Sequence, residues 1–153
     1  MSGSRYAIGI DLGTTHCALS WVDSERSEGE RIVQDMLPVP QLVSPGAVES
    51  RPLLPSFLYL PHADEFRQND LGLPWQSDPT RIVGELARNQ GVMTPIRLVS
   101  SAKSWLCHPD IDRQAPILPP GVPDEIPQIS PFDATIHYLA HLRNAWNGAH
   151  PYE

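Results

Sequence analysis

Residues 8 to 15 read Ile8-Gly9-Ile10-Asp11-Leu12-Gly13-Thr14-Thr15, and the rest of the chain is best read outward from them. The apolar run Tyr6-Ala7-Ile8-Gly9-Ile10-Asp11 ends in an acid and predicts a short strand. Leu12-Gly13-Thr14-Thr15 predicts a turn, and His16-Cys17-Ala18-Leu19-Ser20-Trp21-Val22 the returning strand. A polar turn from Glu25 to Glu30 precedes Arg31-Ile32-Val33-Gln34, a third short strand. The opening is therefore expected to be a β-meander with a Gly-Thr-Thr turn between its first two strands.

That turn carries the chemistry. Asp11 stands at a strand end, where its carboxylate can hold a hydrated magnesium ion. Gly13 lets the backbone approach a phosphate closely. The turn amides and the Thr14 and Thr15 hydroxyls can donate to phosphate oxygens. No Gly-Lys-Ser/Thr follows, so the turn is not a Walker A loop, and it lacks a Gly-x-Gly-x-x-Gly pattern. A plain β-hairpin turn uses similar residues, and local chemistry alone leaves that alternative open.

Beyond the meander, most of the 17 prolines lie between Pro38 and Pro131, which predicts loops with short elements between them. Pro38 to Pro55 reads as proline-broken, Ser56-Phe57-Leu58-Tyr59-Leu60 as a strand, and Pro61 to Pro79 as loop. Arg81-Ile82-Val83-Gly84 reads as a strand end, with a helical turn or two from Glu85 and Gly91 as its stop. Thr94-Pro95 predicts a helix start, with Ile96, Val99, Ala102 and Leu106 at helical spacing and Lys103 at the edge of that stripe. Ser130-Pro131-Phe132-Asp133 predicts a second capped start, with Asp133 reaching back toward the cap. Phe132, Ile136, Leu139 and Trp146 share one face of that helix, and Gly148 can stop it. His137 and His141 are four apart and could form half a metal site, but they lie off the Phe132 and Ile136 face, where a solvated role is expected.

Composition narrows the function classes. The formal net charge of −7 disfavours nucleic acid as the main partner. No apolar run reaches a membrane span, and the first residues lack the apolar core of a signal peptide. Two cysteines, Cys17 and Cys107, are too few for a disulfide scaffold and are expected to be reduced, buried thiols in a cytoplasmic protein. The four tryptophans are expected in core or interface positions. Ten of the eleven basic residues are arginine, and Lys103 is the single lysine.

The segment from Ile8 to Thr15 resembles the phosphate-1 motif of the actin, sugar-kinase and chaperone ATPase superfamily. Within it the chain is most similar to the heat shock protein 70 (DnaK-type) family. Leu54-Pro55-Ser56-Phe57-Leu58 resembles that family's Thr-Pro-Ser-Val-Val strand entry, and Arg81-Ile82-Val83-Gly84-Glu85-Leu86-Ala87 its Val-Gly-x-x-Ala strand and helix. Ser101-Ala102-Lys103-Ser104-Trp105-Leu106 resembles the segment of its catalytic lysine, and Ser130-Pro131 the helix returning to the first lobe. The matches follow the family's order over almost the whole chain. His16-Cys17, Ser104-Trp105 and the spacing of the two proline-rich stretches depart from the family pattern and mark a divergent bacterial member.

The resemblance implies an α/β, actin-like (ribonuclease H-like) fold in two partial lobes. Residues 1–38 and 128–153 would form part of the first lobe, and 39–127 an inserted α+β subdomain carrying the lysine helix. It implies ATP or ADP with Mg²⁺ as ligands. Asp11 would position the magnesium, Gly13, Thr14 and Thr15 would contact the phosphates, and Lys103 would reach the γ-phosphate as the catalytic lysine. A compact ammonium suits that point-charge role. The family's second phosphate turn, adenosine motif and substrate-binding domain have no counterpart among these residues. The expectation is thus an N-terminal part of an ATPase, inactive by itself, whose parent handles client polypeptides and co-chaperones. A first lobe short of strands should expose an apolar edge and self-associate. Two alternatives share the turn: a sugar kinase of the same superfamily, and a non-catalytic module that keeps the fold.

Overall fold

A computed structural model describes residues 4–151 of the chain. Strand β1 (Tyr6–Leu12) pairs antiparallel with β2 (His16–Asp23) along its full length, from Tyr6 opposite Asp23 to Leu12 opposite Cys17. Strand alternation puts Tyr6, Ile8, Ile10 and Leu12 on the same face as Cys17, Leu19, Trp21 and Asp23. At the far end of the hairpin, Arg5 Nη2 donates to Asp23 Oδ2 at 3.1 Å. That bond holds the Asp23 carboxyl below the usual carboxylate range.

The third strand comes later than the sequence suggests. β3 (Gln34–Met36) pairs with β2, whereas Arg31 makes only an isolated bridge with Glu28. Ser27 explains the delay. Its hydroxyl donates to Asp23 O and accepts from Val33 N, which folds residues 23 to 33 into a hydrogen-bonded loop.

The proline-rich stretch holds a hairpin that the sequence reading misses. β4 (Val39–Ser44) pairs antiparallel with β5 (Ala47–Arg51), with a register irregularity between Leu42 and Ser44. Pro45-Gly46 makes the turn, with Gly46 at φ 74°. Pro40 is tolerated because this sheet has two strands and lacks an inner position. β6 (Leu54–Pro55) returns to pair with β2.

A second small sheet lies at the centre, ordered β8 (Ile82–Val83), β7 (Leu58–Tyr59), β9 (Leu98–Val99). The residues from Thr94 to Leu106 do not form one helix. Pro95–Arg97 is a 3₁₀ turn, Leu98 and Val99 pair with β7, and Ser101 at φ 54° breaks the chain before α2 (Ala102–Leu106). Pairing with β7 outweighs the helical spacing, since Val99 on the strand is buried against the core.

The two faces of this sheet separate two cores. Leu58, Val83 and Val99 join a cluster with Cys17, Leu19, Leu37, Leu54 and residues of α3 (Pro131–Ala149). Tyr59 and Ile82 face a second cluster under α1 (Glu85–Met93), with Leu86 and Ala87. Gly91 lies inside α1 and does not end it: a Cβ there would come within 2.3 Å of Leu98 Cδ2. All four tryptophans pack partly buried against the first cluster, as expected.

Helix α3 starts as the sequence predicts. The Ser130 hydroxyl accepts from Asp133 N at 2.9 Å, and Asp133 Oδ2 accepts from that hydroxyl. Its faces are reversed, however. Ala134, Tyr138, His141, Leu142 and Ala145 are buried, while Phe132, Ile136 and Leu139 are exposed. The buried set is smaller and more polar because α3 is pressed close onto β2, β4, β8 and α2.

Candidate functional site

Gly13, Thr14 and Thr15 form the turn between β1 and β2. A Cβ on Gly13 would lie 2.1 Å from the His16 carbonyl oxygen, so this tight geometry requires glycine. Ser56 clamps the turn from beneath. Its amide donates to Thr15 O at 2.9 Å and its hydroxyl donates to Gly13 O at 2.9 Å. The Ser56 oxygen also lies 3.2 Å from Cys17 Sγ. Ser56 is positioned in turn by Tyr138 of α3, whose hydroxyl donates to Ser56 O at 3.3 Å. Leu54-Pro55-Ser56, read in the sequence as a strand entry, thus serves as the floor of the turn.

The turn points its polar groups outward. Thr14 and Thr15 are exposed. Among the described residues, the Thr14 and Thr15 amides meet no acceptor, and the Thr14 hydroxyl has no partner. The Thr15 hydroxyl lies 3.2 Å from His16 Nδ1. Asp11 is exposed near the end of β1. It borders an open depression of about 470 Å³ lined by Gly9, Ile10, Ala18, Ser20 and Met36.

Lys103 is on the short helix α2, exposed, and α2 packs against α3. Its charge and that of Asp11 both act electrostatically on the buried Cys17 thiol. Burial raises the Cys17 pKa; the Ser56 hydroxyl and the Gly13 backbone lower it, Asp11 raises it and Lys103 lowers it. Asp11, Gly13, Thr14 and Thr15 adjoin one another on the β1–β2 hairpin, and Lys103 lies on a separate element. Among the described residues, no group of three or more His, Cys, Asp or Glu side chains gathers as a metal site.

Two sequence expectations about nearby chemistry need correction. His141 is not on a solvated face. It is 5% exposed, its Nε2 donates to Pro40 O at 2.8 Å, and its ring meets Trp75 edge-on. Burial lowers its pKa to about 4, against a smaller opposing effect of the Pro40 bond. His137 is partly buried and also lowered, chiefly by burial. Of the two thiols, Cys17 is buried but Cys107 is exposed.

One residue that organises this region is silent in the sequence. Gln41 of β4 is fully buried; its Nε2 donates to Leu53 O and its Oε1 accepts from Glu85 N at 3.0 Å, capping α1. Gly84, at φ 95°, makes room: a Cβ there would lie 2.7 Å from Gln41 Oε1. A glutamine amid prolines gives no local signal for such a role.

No protein-family model, curated protein or solved structure matches the chain. Among the described residues, no helix is long and apolar enough to cross a membrane. The architecture is mixed α and β with small antiparallel sheets.

Proposed function

We propose that the Asp11–Thr15 turn and Lys103 form one wall of a phosphate site for Mg²⁺-ATP or Mg²⁺-ADP. In this reading the chain is the N-terminal part of an actin-like ATPase of the DnaK type. The observation that carries it is the set of donors without acceptors at Thr14 and Thr15, next to the exposed carboxylate of Asp11 on the same hairpin. Ser56 fixes the Gly13 carbonyl and with it the plane of the Thr14 peptide, so the Thr14 amide needs little reorganisation to donate to an anion. Asp11 can hold a hydrated magnesium through its water shell, which requires no cluster of protein ligands. Lys103 supplies a point charge for the terminal phosphate.

The meander and α3 then belong to the first lobe and the Lys103 helix to the inserted subdomain, with the first core cluster as their joint. Phosphoryl transfer needs charges on both sides of the phosphates. The turn and Lys103 provide one side, so the 153-residue chain binds nucleotide weakly and does not turn it over. In the cell the parent would act on client polypeptides with co-chaperones in the cytoplasm.

The test is an amide NMR titration of the chain with Mg²⁺-ADP and Mg²⁺-ATP at millimolar concentration. Shifts concentrated at Gly13, Thr14 and Thr15 are expected. They should lose their magnesium dependence in Asp11→Asn, and the ATP-over-ADP difference should vanish in Lys103→Ala. A well-dispersed spectrum in which those amides stay still would overturn the reading.

A further inference from the structure

We infer that a second copy of this chain adds to the open edge of β1, antiparallel and in a single register centred on Gly9. This inference is independent of the nucleotide reading. Among the described residues, β1 ends the sheet and has β2 as its one neighbour. The hydrogen-bond phase shows which groups face outward. Ser24 N donates to Arg5 O at 2.9 Å, and the register continues through Ala7–Val22, Gly9–Ser20 and Asp11–Ala18. These alternate residues therefore spend their backbone groups on β2, and the amides and carbonyls of Ile8 and Ile10 point to the empty side. On the far side of β2 the phase agrees, since Leu37 N donates to Leu19 O.

The edge has few of the devices that keep strands apart. β1 contains no lysine, arginine or proline and has no bulge in its register. Ile8 is 46% and Ile10 47% exposed, on the face that elsewhere carries the core. An exposed edge of this kind is a template for another strand, and this sequence complements itself. With a twofold axis at Gly9, Ile8 of one copy exchanges both backbone hydrogen bonds with Ile10 of the other, and Ile10 with Ile8. The isoleucine side chains then cover each other on one face. The one charge within the strand, Asp11, falls opposite Ala7, so no like charges meet. Gly9 meets Gly9 at a non-hydrogen-bonded position, where the two Cα atoms approach most closely.

The competing surface is the outer face of α3, where Phe132 and Ile136 are each 45% exposed. The experiment separates the two. Sedimentation velocity over a concentration series should show a monomer–dimer equilibrium for the wild-type chain. Ile8→Lys/Ile10→Lys should abolish the dimer, and Phe132→Ser/Ile136→Ser should leave it unchanged. In a Cys107→Ser background, Gly9→Cys should form a disulfide-linked dimer on mild oxidation. A Cβ at Gly9 meets nothing closer than Ser20 Oγ at 3.4 Å, so that variant is expected to fold. A wild-type chain monomeric at all concentrations would overturn the inference. So would a dimer that survives the lysine pair, or one that the Gly9→Cys thiols fail to link.

Discussion

β1 and β2 are partners along seven paired positions, yet they experience opposite environments. β2 lies between β1 on one side and β3 and β6 on the other, and α3 crosses it. Cys17, Leu19 and Asp23 are buried as a result. Among the described residues β1 has one neighbouring strand, and its residues from Ala7 to Asp11 are all exposed. Ile10 and Leu19 face each other across the pair on one side of the sheet, with 47% and 1% exposure. Their apolar character is alike; the cover above them differs. The exposed strand is also the one that carries Asp11 and leads into the donors of Thr14 and Thr15. A strand buried on both sides could not offer those groups to a ligand.

The largest effect should separate these two partners directly. Leu19→Ala should cost about 2–5 kcal/mol in urea unfolding, because it opens a cavity in the first core. Ile10→Ala should cost less than about 1.5 kcal/mol, as half its surface is already in water. Measured where the chain is monomeric, equal losses would mean that β1 is covered within a single copy, and the comparison would fail.

Next is His141, which extends the comparison to the two faces of α3. Its folded pKa of about 4 is below the unfolded value of 6.5. The unfolded chain thus binds the extra proton first as pH falls, so the stability is present above 6.5 and is lost through that window. The predicted loss between about pH 7 and pH 4 is about 3 kcal/mol from this group. His141→Gln can keep a donor to Pro40 O without titrating, and should flatten that part of the urea-midpoint profile. An unchanged slope would mean that other groups dominate.

The two glycines of the hairpin make a third, smaller contrast. Gly13→Ala meets the His16 carbonyl and should cost about 1–3 kcal/mol. Gly9→Ala has room and should stay within about 0.5 kcal/mol. Thermal midpoints of the two variants would show it. Smallest of all, Phe132→Ser on the outer face of α3 should change stability by no more than about 0.5 kcal/mol. A large loss there would show that this face is covered in solution.

Legibility varied with the range of the determining contacts. β1, β2 and the turn are announced by an apolar run, a Gly-Thr-Thr break and a returning run. The start of α3 is announced by Ser130, Pro131 and Asp133, three residues whose bonds close within one turn. A helix at Lys103 was legible, but the expected start at Thr94 was not borne out, since the helix there spans only Ala102–Leu106. The hairpin of β4 and β5 was hidden because prolines mask the strand pattern, and what holds it is distant: Gln41 reaches Glu85, and Pro40 reaches His141. β9 was hidden by a helical spacing that pairing with β7 overrides. Gly91 read as a stop because its reason, the Leu98 side chain, is on another element.

By itself, then, the sequence determined the β1–β2 hairpin with its tight turn at Gly13 and the capped start of α3. Each of these depends on backbone geometry and hydrogen bonds between near neighbours. Only the tertiary structure decided which face of α3 is inside, that His141 is buried beside Trp75, and that Ser56 and Tyr138 support the turn. It also decided that Ile8 and Ile10 are uncovered within a single copy of the chain. Those outcomes depend on which surfaces meet after the chain has crossed over itself, and periodicity along one element carries no record of what will lie against it.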